Sequence, residues 1–258
     1  MTASVIAVCI LGLTAFVILT ALGAEKPWLQ IVALARAGLQ LALLSLILHT
    51  VVSNTWLTVA FLMVMTGVAI WTASRRTPRT LRHPFTIAVG LAVGWMVPVV
   101  VIVALGAVPI SDSSKVLAMG GIIIGNSMTA TSLLTRNLSS RLTLGADEYL
   151  GWLALGATPR QAARPAVREA VSMSVMPATD QARTTGLVTL PGAFVGALFG
   201  GASAWEAARF QLLVLAAILC AGAVTSLILT RAMGAPTTLL ETPEALAAST
   251  RRRAARTD

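Results

Sequence analysis

Residues 85–106 read FTIAVGLAVGWMVPVVVIVALG, an unbroken run of 22 residues without an acidic or basic side chain. About 20 such residues, wound as a helix, match the hydrocarbon thickness of a bilayer. Inside lipid a helix satisfies its own main-chain groups, whereas an open strand edge cannot. Six similar runs flank this one, at Ala3–Gly23, Leu29–Val52, Trp56–Ala73, Val116–Thr135, Leu187–Ser203 and Phe210–Thr230. None shows the ten-residue alternation of a β-barrel strand. The expected fold is all-α, a polytopic transmembrane helical bundle of about seven spans. No Lys or Arg precedes the first run, so the basic region of a secretory signal is missing and the run is expected to be a retained span.

Composition agrees. The chain has 258 residues, 56% hydrophobic and 11% charged, with a mean hydropathy of +0.82. Soluble domains carry roughly 25% charged residues, about twice this value. The net charge of +9 sits on loops between apolar runs. That pattern suits topology signals and anionic headgroups, and leaves no basic stripe for nucleic acid. Cys9 and Cys220 each lie within an apolar run and are expected to behave as small buried hydrophobes. His49 and His83 are too few and too far apart for a histidine cluster.

With seven spans and the N-terminus outside, 16 of the 19 basic residues fall on the cytoplasmic side. The positive-inside rule therefore places the C-terminus in the cytoplasm. The expected organisation is a permease domain over 1–235, with a cytoplasmic coupling segment at 137–183. A basic cytoplasmic tail follows at 236–258, carrying RRRAAR at 251–256.

Residues 155–161, LGATPRQ, spell helix, break, helix. Gly156 suits the left-handed turn that closes one helix. After Ala157, Thr158 is the expected N-cap of the next helix, Pro159 its first position and Gln161 the other half of a capping box. Arg160, Arg164 and Arg168 then fall at i, i+4 and i+8, giving one basic face on a short helix that Pro165 kinks. Such a knob fits docking on an ATPase, whose motion would rock the spans as rigid bodies. A helix lying on anionic headgroups explains the same pattern. The only lysines, Lys26 and Lys115, follow no glycine-rich phosphate loop. ATP and Mg²⁺ are therefore expected on a separate subunit, with no cofactor in this chain and no enzyme activity of its own.

Four stretches in this order, RAGLQL (36–41), GIIIGNSM (121–128), LGATPRQ (155–161) and PATDQARTTGLVTLPG (177–192), resemble the FetB-type permeases. These are the membrane subunits of bacterial iron-export ABC transporters, and plant aluminium-tolerance permeases are related to them. The resemblance covers most of the chain, and 177–192 is its most specific block. It implies an ABC ATP-binding subunit, a second copy of the permease as partner, the bacterial plasma membrane, and metal homeostasis. The coupling loop usual in ABC importers, with its Glu-Ala-Ala start, is not matched, and Pro177 stands 21 residues after Gly156.

Polar residues within spans are costly and mark sites or helix contacts. Arg36 and Gln40, one turn apart, read either as a snorkelling or helix-bonding pair or as pathway residues. Asn126, too short to snorkel, either bonds a neighbouring helix or lines the pathway. Asp180 and Arg183, at i and i+3, form a candidate ion pair at the cytoplasmic mouth of the sixth span, reading either as a gate on the substrate pathway or as a solvated interfacial pair. Gly186 and Pro191 interrupt that run. Gly192, Gly196 and Gly200 then repeat every four residues, and with Pro191 they mark the expected subunit seam. No carboxylate or histidine cluster defines a metal site, so the metal ligands are unknown, and an anionic or chelated substrate stands beside iron. An ATPase-independent channel or secondary transporter usually needs intramembrane carboxylates, which the spans lack. An intramembrane protease would need a catalytic constellation at depth, and none is present.

Overall fold

Among the residues described by the computed structural model (2–78, 81 and 83–234), the main chain forms ten helices and no strand. They are α1 (Thr2–Ala21), α2 (Trp28–Val52), α3 (Thr55–Arg76), α4 (Pro84–Ala104), α5 (Ser113–Leu144), α6 (Ala146–Ala154), α7 (Pro159–Ala162), α8 (Arg164–Thr184), α9 (Gly192–Phe199) and α10 (Ala204–Met233). Six of these, α1 to α5 and α10, are long and apolar enough to cross a membrane. The tail at 236–258 lies outside the described residues, as do Arg79 and Arg82.

The chain divides into two compact units, Met1–Leu57 and Thr58–Asp258. In the first, Gly12 of α1 meets α2, and a Cβ added there would lie 3.1 Å from Leu34 Cδ2. Cys9 is exposed, as is Cys220 in the second unit, so neither is the buried hydrophobe expected.

In the second unit α10 is the common wall, packed by α4, α5, α8 and α9. Small residues allow the closest approach, since dispersion and interhelical hydrogen bonds hold helices together in lipid. Gly90 and Gly94 of α4 face Leu229 and Thr225 of α10. Thr225 Oγ1 donates to the Gly90 carbonyl at 3.2 Å. Thr77 and Thr135 bring their hydroxyls within 3.3 Å in the interior. Ile87, Leu91, Met119, Ile123 and Leu134 are fully buried.

The sixth expected span is corrected. Over Leu187–Ser203 the chain is helical only at Gly192–Phe199, eight residues, or about 12 Å of rise. Gly186 takes φ +84°, Pro191 caps the next helix, and Gly201 at φ +91° ends it. The break satisfies its own polar groups: the Thr184 carbonyl accepts from the amides of Val188 and Thr189, and Gly186 N donates to Thr189 O.

The segment expected as cytoplasmic, 137–183, likewise divides. Only α6 and α7 form a cap at one end of the bundle. α8 turns back along α5 and α10: Ser174 and Ser226 hydroxyls lie 3.4 Å apart, and Val175 reaches Gly222. α5 runs into this cap through Gly145, and α10 ends beside it. α8, the break and α9 follow one another in series, both helices packing on α10.

Candidate functional site

The first candidate is the cap itself. Gly156, at φ +89°, closes α6 as expected, its amide donating to Leu153 O while Ala157 N donates to Trp152 O. Thr158 is the N-cap of α7, and the capping box with Gln161 is complete: Thr158 N donates to Gln161 Oε1 at 2.8 Å and Gln161 N to Thr158 Oγ1 at 3.4 Å. Pro159 occupies the first turn. Leu155 and Trp152 are exposed beside this turn. On α6, burial pushes the Tyr149 phenol above its ordinary value.

The single basic face is not formed. α7 stops after Ala162, and Arg164 opens α8 with Pro165 in its first turn. Proline has no N–H to give a preceding carbonyl, so it starts a helix here instead of kinking one. Arg160 consequently stands apart from Arg164 and Arg168, which share α8. Arg160 Nη2 donates to the Arg231 carbonyl in the last turn of α10 at 3.3 Å. Sequence reasoning missed a second tie near this end, the ion pair of Arg141 on α5 with Glu169 on α8. Its residues are 28 apart, so no local spacing announces it.

The second candidate is a small cavity halfway along the bundle, about 30 Å³, room for about one water-sized species. Asn126 and Thr129 of α5, Ser174 and Pro177 of α8, and Ile218 and Gly222 of α10 line it. Asn126 Nδ2 donates to Ile122 O at 2.9 Å on its own helix, and among the described residues the amide makes no hydrogen bond to a neighbouring helix. Thr129 and Ser174 were not singled out by sequence, because their role depends on α8 lying in the bundle.

Asp180 and Arg183 pair at 3.8 Å, with side chains 58% and 76% exposed. Asp180 is 16 residues beyond Arg164 on α8, or about 24 Å of rise, next to the α8–α9 break. Arg36 and Gln40 are exposed on α2 of the first unit. Pro191 caps α9, and Gly200 closes it. Gly192 and Gly196 have open space where a Cβ would sit, so among the described residues no neighbour seats against that face of α9. Glycines that do seat a neighbour include Gly90 and Gly94 on α4 and Gly120 on α5, which meets Leu62; the four-residue spacing of the first two is legible in the sequence but was passed over. Among the described residues, no group of three or more His, Cys, Asp or Glu side chains converges as a metal site.

The chain matches the family described as "Uncharacterised protein family (UPF0014)" over residues 2–236. It belongs to this family. UPF0014 membrane protein STAR2 of Oryza sativa subsp. japonica is 35% identical over 212 residues, 81% of this chain and 73% of the relative. UPF0014 membrane protein YjkA of Bacillus subtilis (strain 168) is 31% identical over 209 residues, 80% of this chain and 82% of the relative. Probable iron export permease protein FetB of Escherichia coli (strain K12) is 27% identical over 198 residues, 76% of each. The resemblance to FetB-type permeases is thereby borne out. No solved structure matches the chain significantly. As a UPF0014 member with six apolar helices of spanning length, it is a multi-pass membrane protein.

Proposed function

We propose that this chain is the permease subunit of an ABC transporter that exports iron or a related metal, with ATP and Mg²⁺ held by a separate ATP-binding subunit. The observation that carries this reading is the α6–α7 cap. Two short helices, fixed by a left-handed glycine and a complete capping box, project from the end of the bundle where α5 arrives and α8 and α10 are tied. A force applied there has a rigid route into three helices that wall the mid-bundle cavity. The relative named as an iron export permease supports the direction and the cargo.

In this reading the cap lies in the cytoplasm, where the positive-inside count puts it. The discontinuous crossing α8–α9 sets a polar break at membrane depth, tolerated where it faces protein or water. The exposed Asp180–Arg183 pair and the bare Gly192–Gly196 face belong to the seam with a second copy.

The test is reconstitution. The purified chain alone hydrolyses no ATP and moves no metal in liposomes; adding an ABC ATP-binding subunit encoded beside it yields ATP-dependent iron flux. Replacing Arg160, Arg164 and Arg168 together with glutamate leaves both subunits folded and separates them on co-purification. Metal movement by the chain without any ATPase would overturn the reading.

A further inference from the structure

The depth of α8 decides what its outer face meets. Ser174 lies beside Ser226, Val175 reaches Gly222, and Pro177 and Ala178 share a lining with Ile218 and Leu219. α8 therefore runs antiparallel to α10, with Pro177 level with the midpoint of α10 at 218–219. Asn126 and Thr129, in the same lining, flank the midpoint of α5. Two long helices thus agree on the middle of the membrane. Asp180 and Arg183 follow Pro177 by three and six residues, about 5 and 9 Å of rise. Half the hydrocarbon thickness is about 15 Å, so both charges lie inside it.

Ala170 and Ser174 are buried on the inner side of α8. The opposite stripe, Arg168, Ser172, Met176 and Asp180 at four-residue spacing with Gln181 beside it, is exposed along its whole length. Beyond it the non-helical main chain at 186–190 is exposed too. Neither feature suits acyl chains. Ionised groups at this depth face protein or water, and broken main chain is tolerated only where protein buries it or a wet cavity meets it. Dry protein is the poorer cover, because every buried ion needs its remaining hydrogen bonds supplied. The Asp180–Arg183 separation of 3.8 Å is too long for a hydrogen bond, so neither ion satisfies the other. We propose that this stripe and the 186–190 break line a water-filled passage from the cap to beyond the middle of the membrane. A solute would cross there on the outer side of α8 with water around it, and not through the closed packing of α5, α8 and α10. Resting on the permease reading, the passage is the wet part of the seam with a second copy, and Gly192 and Gly196 mark the dry part.

Cysteine reactivity in membranes tests this, since a thiol ionises and attacks a charged reagent in water but not in lipid. The full chain, carrying Cys9→Ser and Cys220→Ser, is expressed with its ATP-binding subunit. Freeze–thawed vesicles then open both membrane faces to a membrane-impermeant methanethiosulfonate cation. Met176→Cys and Gln181→Cys are expected to react about tenfold or more faster than Val93→Cys, an exposed position at the middle of α4. Ser172→Cys, nearly isosteric, shows the same excess and serves if a deeper variant fails to fold. Stripe cysteines as slow as Val93→Cys overturn the inference, whether lipid or a dry contact with the second copy covers them. Failure of the permease reading looks different: the stripe cysteines react fast, while no ATP-driven flux occurs with the ATP-binding subunit present.

Discussion

Arg160 Nη2 and the main-chain carbonyl of Arg231 are joined by a 3.3 Å hydrogen bond, across 71 residues of sequence. The last carbonyls of a helix have no partner within it and carry its negative dipole end. A guanidinium from α7 therefore completes α10 and at the same time anchors the cap to the wall of the cavity. A docking helix that was only a basic patch would have no such tie.

Arg160→Ala should therefore separate hydrolysis from transport in the reconstituted complex. ATP turnover persists while flux per ATP falls about threefold, the size expected for a solvent-accessible charged contact. Arg160→Lys, a point charge without the planar fork, recovers part of it. Equal loss of flux and hydrolysis would show that Arg160 serves docking alone.

Thr158→Ala and Gln161→Ala should each loosen α7 by about 1 kcal/mol. The double variant costs less than the sum, because the two residues bond reciprocally. Hydrogen exchange of the amides at 158–163 reads this directly, and Thr158→Ser should restore protection.

Gly94→Leu would drive a side chain into Thr225 and the Ala221 carbonyl on α10. Overpacking of this kind costs about 1–3 kcal/mol, visible as a lowered melting temperature in mild detergent. Gly67→Ala on α3, where a Cβ meets open space, should leave the melting temperature unchanged or slightly raised.

Asp112 caps α5 through Lys115 N and pairs with the Lys115 ammonium at 2.7 Å. Burial pushes its carboxyl up, but the hydrogen bonds from Lys115 and Ser114 outweigh it and hold the group below its ordinary 3.8. A depressed folded value means the contribution is full above 3.8 and disappears as pH falls through the folded value. Asp112→Asn keeps a capping side chain and loses the charge. Thermal melts of the two proteins should differ at neutral pH and converge in acid below 3.8.

Gly196→Cys, on the exposed face of α9, should form a disulfide-linked dimer under mild oxidation in membranes if that face is the seam between two copies. Cys9 on α1 and Cys220 on α10, both exposed, are replaced by serine to keep the readout clean. A product that remains monomeric on a non-reducing gel would move the seam away from α9.

The Gly156 turn and the Thr158–Gln161 box were legible because each is local: a positive φ and a side chain reaching three residues are properties of short peptides. The long runs were legible for a similar reason, since twenty apolar residues have few other places to go. The sixth run misled because hydropathy counts apolar residues and ignores where the main chain breaks. Gly186 and Pro191 decide that Leu187–Ser203 makes a turn and eight helical residues. The opposite error hid α8, whose polar Ser174, Thr179, Asp180 and Arg183 lowered its apparent hydropathy.

By itself, then, the sequence determined that the molecule is a membrane bundle with a capped turn at one end, because spanning length and capping are set by neighbours along the chain. Tertiary structure alone decided that α8 belongs inside, that Asn126, Thr129, Ser174 and Pro177 share one cavity, and that Arg160 and Arg231 meet. Those relations join residues tens of positions apart, and only the packing of α5, α8 and α10 brings such residues within bonding range.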